Sequence, residues 1–185
     1  RQPRSDHQRR DRGGILKLAM NRARFLRWIR NTVLVVLAVF AIGTIWYITE
    51  VRINDPLTEG EACIVPERST DTTGRWHVGN NWLVRDSSGL YEAYIEGSDL
   101  ERGLALGSLA RGPIERQEGI FTERLRAMVP GEGKLGFLKY FVAWFNRDLD
   151  EHVLLEYQRE IFGVSRSFSD AFDEVGPKYM RALNY

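Results

Sequence analysis

One cysteine, six prolines and three histidines stand among 185 residues, and each scarcity narrows the range of functions. The lone Cys63 leaves no partner for an intrachain disulfide and nothing resembling a Cys-based zinc site, which argues against redox chemistry within the chain. His7, His77 and His152 are isolated from one another in sequence, so a histidine-built metal site finds no support. Gly97, Gly103 and Gly107 have the wrong spacing for a phosphate loop or a dinucleotide fingerprint, and no Lys-Ser/Thr pair follows them. No cofactor is expected.

What is present is enough for one ordinary domain and a short appendage. With 43% hydrophobic and 28% charged residues, the chain is neither wholly disordered nor a multi-span membrane protein. The net charge of +1 hides an asymmetry. Residues 1–30 hold nine Arg and one Lys against two Asp, a net +8, and residues 31–185 therefore carry −7. The two parts face different surroundings.

Residues 32–49, TVLVVLAVFAIGTIWYIT, carry no formal charge. As a helix they extend roughly 27 Å, close to the thickness of a bilayer core. Arg22, Arg24, Arg27 and Arg30 precede the run, and Trp46 and Tyr47 sit at its far end, where amphipathic rings favour the interface. A buried core helix is the alternative, but it seldom carries four arginines on one flank. The flanks predict a transmembrane signal anchor that is not cleaved, because residues 46–50 offer no small-residue cleavage site. Its N-terminus lies in the cytoplasm and the rest in the periplasm, lumen or extracellular space. Residues 1–31 form a basic cytoplasmic tail whose first nineteen residues are expected to be disordered. Its arginines are explained by the adjacent membrane without invoking nucleic acid. Met20 opens the basic segment before the span and is a candidate native start.

Residues 50–74 contain Asn54-Asp55-Pro56, Pro66 and a Ser69–Gly74 polar run, a composition that predicts a linker. Cys63 lies within it, and no local base or oxyanion site accompanies it, so an inert or accessory thiol is expected. An α+β domain over residues 75–185 follows. Alternation at Trp76/Val78, Trp82/Val84 and Tyr91/Ala93/Ile95, broken at Ser87-Ser88-Gly89, predicts a β-hairpin or short meander. His77 is read as a strand residue.

The most informative stretch runs from Tyr94 to Leu109. A strand ends at Gly97, Ser98 reads as an N-cap with Glu101 at the third helical position, and Leu100 and Leu104 open an apolar surface. Gly103 and Gly107 are four apart on one helical face, a destabilising choice unless another backbone approaches closely. Close packing of this helix on the sheet is the expectation.

The pattern Gly97-x-x-x-Glu101-x-Gly103-x-x-x-Gly107, directly after a strand, resembles the signature near the start of the penicillin acyltransferase-like family of N-terminal-nucleophile hydrolases. The resemblance covers Arg75 to Tyr185. It implies a precursor that cuts itself before a cysteine and uses the new N-terminal Cys for acyl transfer or amide hydrolysis, within an αββα fold of which this chain would be the leading part. The family's nucleophile lies downstream of the glycine-bearing helix, yet no Cys occurs between Gly107 and Tyr185. No catalytic residue is carried over. Gly97, Glu101, Gly103 and Gly107 are carried over as structural positions, Glu101 to cap the helix and the glycines to permit close packing. The implied partners are the bilayer, through residues 32–49, and the remainder of the precursor or a companion chain bearing the nucleophile.

Beyond a break at residues 130–133, Phe137, Tyr140, Phe141, Trp144 and Phe145 share one helical face. Such a stripe could line an acyl pocket or rest on a membrane, but large rings at this spacing are expected in a core. Asp148–Phe162 reads as a helix whose Asp150, Glu151, Glu156 and Glu160 form a solvated face. Gly176-Pro177 opens a last helix whose apolar pattern is unfinished at Tyr185, the expectation for a fragment or processed chain. The reading is a membrane-anchored leading portion of a self-processing acyltransferase or amidohydrolase, inactive by itself. The alternative is an anchored interaction or assembly subunit without catalysis.

Overall fold

A computed structural model describes residues 6–58, 60–131 and 133–185, with side chains from residue 24 onward except that of residue 135. The first five residues of the basic tail, the side chains of His7, Met20 and Arg22, and Glu132 in the expected break lie outside the described residues. The chain divides into two units, the first ending at Thr49 and the second starting at Glu50.

Helix α1, Asp6–Glu50, contains all the described residues of the first unit and continues through residues 6–19, which the sequence reads as disordered. Within it, Arg24–Glu50 is long and apolar enough to cross a membrane. Thr44 and Thr49 donate their hydroxyls back to the carbonyls of Phe40 and Trp46, at 2.9 and 2.8 Å, so these polar side chains are satisfied inside the helix.

The second unit is a mixed α+β domain. Its sheet is an antiparallel meander of β1 (Ser69–Thr70), β2 (Trp76–Val78), β3 (Asn81–Arg85) and β4 (Tyr91–Tyr94), in that spatial order. Gly79, at φ 58°, and Asn80 form a two-residue turn that pairs Val78 with Asn81 and Trp76 with Leu83. Directly opposed residues lie on one face, so this turn sends Leu83 inward with Val78 and leaves Trp82 on the other side. Taking Trp82 and Val84 as the apolar set of β3 inverts its faces. Trp82 stacks instead on Tyr94, ring centroids 6.4 Å apart, with the Arg75 guanidinium 4.2 Å from its ring.

Helix α2 (Asp99–Leu109) is packed on two sides. Ala105 and Leu109 meet Val78 and Leu83 of the sheet in one core cluster. Leu100 and Leu104 join Phe162 and Tyr179 in a second. Phe162 belongs to α5 (Leu155–Ser165) and Tyr179 to α6 (Lys178–Asn184). Between α2 and α5 in sequence come α3 (Arg111–Met128) and α4 (Lys134–Phe145). Helix α5 begins later than the periodicity suggests. Asp150–His152 forms a 3-10 turn, and the Gln158 side chain donates to the carbonyls of Asp150 and Val153 at 2.7 and 2.8 Å, closing the break.

Residues 50–68 are a strap rather than a spacer. Ile53, Leu57, Cys63 and Val65 pack on the Leu100/Phe162 cluster. Ser108 donates to the Pro66 carbonyl at 2.6 Å, and Arg68 donates to that of Leu109 at 3.1 Å. Arg159 of α5 grips the same strap, pairing with Glu61 and donating to Thr58 Oγ1 at 3.1 Å. The strap's four apolar residues, unevenly spaced in a Pro- and Asn-containing segment, join the core although none of them lies in a helix or strand.

Candidate functional site

The strand-to-helix corner is built from four residues. Gly97 turns the chain at φ 120°, in the region that favours glycine. Ser98 has extended backbone and caps α2. The Glu101 carboxylate reaches back to accept from the Ser98 amide at 2.9 Å and its hydroxyl at 2.7 Å, a capping box that holds the carboxyl below its usual range. Arg102 Nη1 donates to the Gly97 carbonyl at 3.2 Å and ties the corner to α5 through Glu160, 2.9 Å from Nη2. Arg159 Nε lies 2.9 Å from Asp99 Oδ2 and adds a second α5 cation to the helix start.

The two helical glycines face α5. A Cβ on Gly103 would stand 2.0 Å from the Glu160 carbonyl oxygen, and one on Gly107 would stand 2.9 Å from the Val164 carbonyl oxygen. The approach is reciprocal, because a Cβ on Gly163 would lie 2.7 Å from the Leu104 nitrogen. The close neighbour is thus a helix, and the expectation of glycine contacts with the sheet is corrected. The sheet occupies the Ala105/Leu109 side, where side chains, not bare backbone, fill the gap.

An open, largely apolar cleft of about 430 Å³ adjoins this crossing, lined by Leu106, Ile114, Tyr157, Ile161 and Val164, with Gln117 and Glu160 at its polar parts. Cys63 is half-buried, and burial pushes its thiol up against the opposing pull of Arg166, so sulfur is held in its protonated, weakly nucleophilic form. His77 Nε2 lies 3.0 Å from Asp71 Oδ2, a pair that closes the loop before β2. Thr73 and His77 hold the Asp71 carboxyl well below the carboxylate range. The acidic residues of 150–160 do not converge: Glu160 pairs with Arg102, and Glu151 and Glu156 are exposed. Among the described residues there is no group of three or more His, Cys, Asp or Glu side chains placed to hold a metal.

The sequence reading misses one polar centre. Glu118 of α3 is completely buried, and Arg181 of α6 meets it as an ion pair, Nε to Oε1 3.0 Å. Arg181 also reaches Asp173 at 2.9 Å and donates to the carbonyls of Ser169 at 2.7 Å and Gly176 at 3.1 Å. Burial raises the Glu118 carboxyl and Arg181 opposes that shift. The signal was legible, since Glu118 falls in the stripe Ile114, Glu118, Thr122, Leu125 on the inward side of α3. Its partners make it an anchor for the last helix rather than a reactive group. Compared with protein-family models, with curated proteins and with solved structures, the chain matches none.

Proposed function

We propose that this chain is the leading portion of a membrane-anchored, self-processing cysteine acyltransferase or amidohydrolase acting on linear amides or thioesters. The residues described here serve as scaffold, and the nucleophile comes from polypeptide outside this sequence. The observation that carries the reading is the corner Gly97-Ser98-Glu101 with Gly103 and Gly107 pressed on α5, because a capped corner and a backbone-to-backbone crossing give every position of the quoted motif a physical task. The apolar part of α1 is read as a single span. Arg24, Arg27 and Arg30 on its N-terminal flank orient it with that flank in the cytoplasm and the domain outside.

In the assembled enzyme the resemblance implies a cysteine at a newly made N-terminus. Its thiol gives a proton to its own α-amino group, sulfur attacks the carbonyl carbon, and the amine or thiol leaves with that proton. The acyl group then passes to water or to an acceptor, with an oxyanion site stabilising each tetrahedral intermediate. The test is intact-mass analysis of the protein expressed from its full gene, with a thiol-reactive acyl probe. A chain cleaved before a cysteine and labelled at that residue is expected. An intact, unlabelled protein overturns the proposal and supports the alternative of an anchored assembly subunit without catalysis.

A further inference from the structure

Helix α4 carries an apolar face that the described residues of the domain do not cover. Its inner edge, Leu138 and Val142, closes a cavity of about 200 Å³ with Phe121 and Leu125 of α3. Phe137, Phe141 and Phe145 are 63%, 49% and 79% exposed. Spaced by four, they fall on one side of the helix, and the rings of Phe137 and Phe141 touch edge to face with centroids 5.1 Å apart. This continuous patch corrects the expectation that the aromatic stripe is core. Large rings in water are unfavourable unless another phase covers them.

The chain itself indicates the phase. Glu50 ends the apolar helix and belongs to the second unit, and its Oε1 lies 3.9 Å from Nε of Arg147, two residues past the end of α4. Three residues further, Ile53 is already packed on the domain core, which limits the tether between them to about 11 Å. A chain that leaves a bilayer at Glu50 therefore has the end of α4 beside the point of exit. Lys134, exposed in the first turn of α4, supplies a cation suited to lipid phosphate.

We propose that α4 lies on the bilayer that holds the apolar span, with Phe137, Phe141 and Phe145 entering the boundary between headgroups and acyl chains. The inference rests on the reading of Arg24–Glu50 as a span, and the experiment separates the two. The full chain carrying Cys63→Ser is reconstituted in phosphatidylcholine/phosphatidylglycerol vesicles. An environment-sensitive fluorophore is placed at one of three substitutions: Phe141→Cys on α4, Val36→Cys in the span, or Ser88→Cys at a hairpin tip. Phe145→Cys serves as a second α4 site. Emission is then challenged with nitroxide-labelled lipids and with aqueous iodide.

At 141 and 145, lipid nitroxides should remove about half of the emission or more, most strongly near the ~5–10 Å depth of interfacial helices, and iodide should have little effect. The label at 88 should show the reverse. If the label at 36 is lipid-quenched while those on α4 are quenched by iodide, the span stands and the surface contact is refuted. If α4 resists both quenchers, a protein covers it, whether a second copy or another partner, and the inference is equally refuted. If the label at 36 is not quenched by lipid, the span and the α4 inference fall together.

Discussion

Gly103→Ala tests the α2–α5 crossing most directly. The added methyl would sit 2.0 Å from the Glu160 carbonyl oxygen, 2.8 Å from its carbon and 3.0 Å from its Cα, and ordinary contact begins at 3.4 Å. The helices must separate by about 1.4 Å, the difference between those two oxygen distances. Nothing at the contact is a flexible side-chain end, so the strain cannot be relieved by a rotamer change. Overpacking of this kind costs about 1–3 kcal/mol. Separation also loosens Leu100 and Leu104 from Phe162, which adds to the loss. Alanine in place of glycine returns about 1 kcal/mol of helix propensity. The net expectation is a destabilisation of about 2 kcal/mol, roughly a 30-fold fall in the folding equilibrium. Urea unfolding of the full chain in mild detergent, followed by tryptophan fluorescence, measures it. Gly136→Ala in α4 is the control, because a Cβ there meets nothing within 4 Å and should be neutral or stabilising by up to about 1 kcal/mol. A Gly103→Ala protein as stable as its parent, beside a control that behaves as expected, refutes the close approach.

Glu118→Ala removes the fully buried carboxylate from Arg181 Nε and leaves the guanidinium only the half-exposed Asp173 as a counter-charge, so it should destabilise by about 3 kcal/mol, whereas Glu118→Met with Arg181→Met should recover most of that loss in the same unfolding assay. Tyr179 has a buried hydroxyl with no hydrogen-bond partner among the described residues, and burial pushes its phenol up to about 12. Tyr179→Phe should therefore be neutral or stabilising by about 1 kcal/mol, and a clear loss of stability would reveal a partner for the hydroxyl. Glu61 and Asp99, on either side of Arg159, both have carboxyls held below their ordinary values, Glu61 chiefly by Arg159 and Asp99 chiefly by the Leu100 amide. A lowered folded-state pKa gives stability that is present above the unfolded value and is lost as pH falls through the folded one. Acid titration of stability should thus show a loss below the ordinary carboxylate range that Glu61→Gln with Asp99→Asn flattens; an unchanged acid limb would assign it to other groups.

Local chemistry was the legible part of this chain. The capping box could be read from Ser98 and Glu101 because both partners lie within one turn, and the apolar run of α1 needed only composition. Gly103 and Gly107 announced that a backbone comes close, but a missing Cβ carries no record of its neighbour, and Gly163 on α5 was the complementary mark. The faces of β3 depended on a two-residue turn, where a shift of one position exchanges Leu83 for Trp82. The aromatic stripe of α4 has the periodicity of a core helix, and periodicity shows that rings share a side without showing what that side meets. The cleft beside the crossing was illegible because its walls come from elements up to about eighty residues apart.

The strap from Ile53 to Val65 sets where the domain can be cut. A recombinant version starting at Arg75, the boundary that composition suggests, would strip four side chains from the Phe162/Tyr179 cluster and leave Arg159 without its Glu61 partner. A soluble derivative must instead retain the polypeptide from about Ile53 onward. During synthesis, moreover, these early residues emerge about a hundred positions ahead of the helix they rest on, so their final seating waits until α5 and α6 have been made.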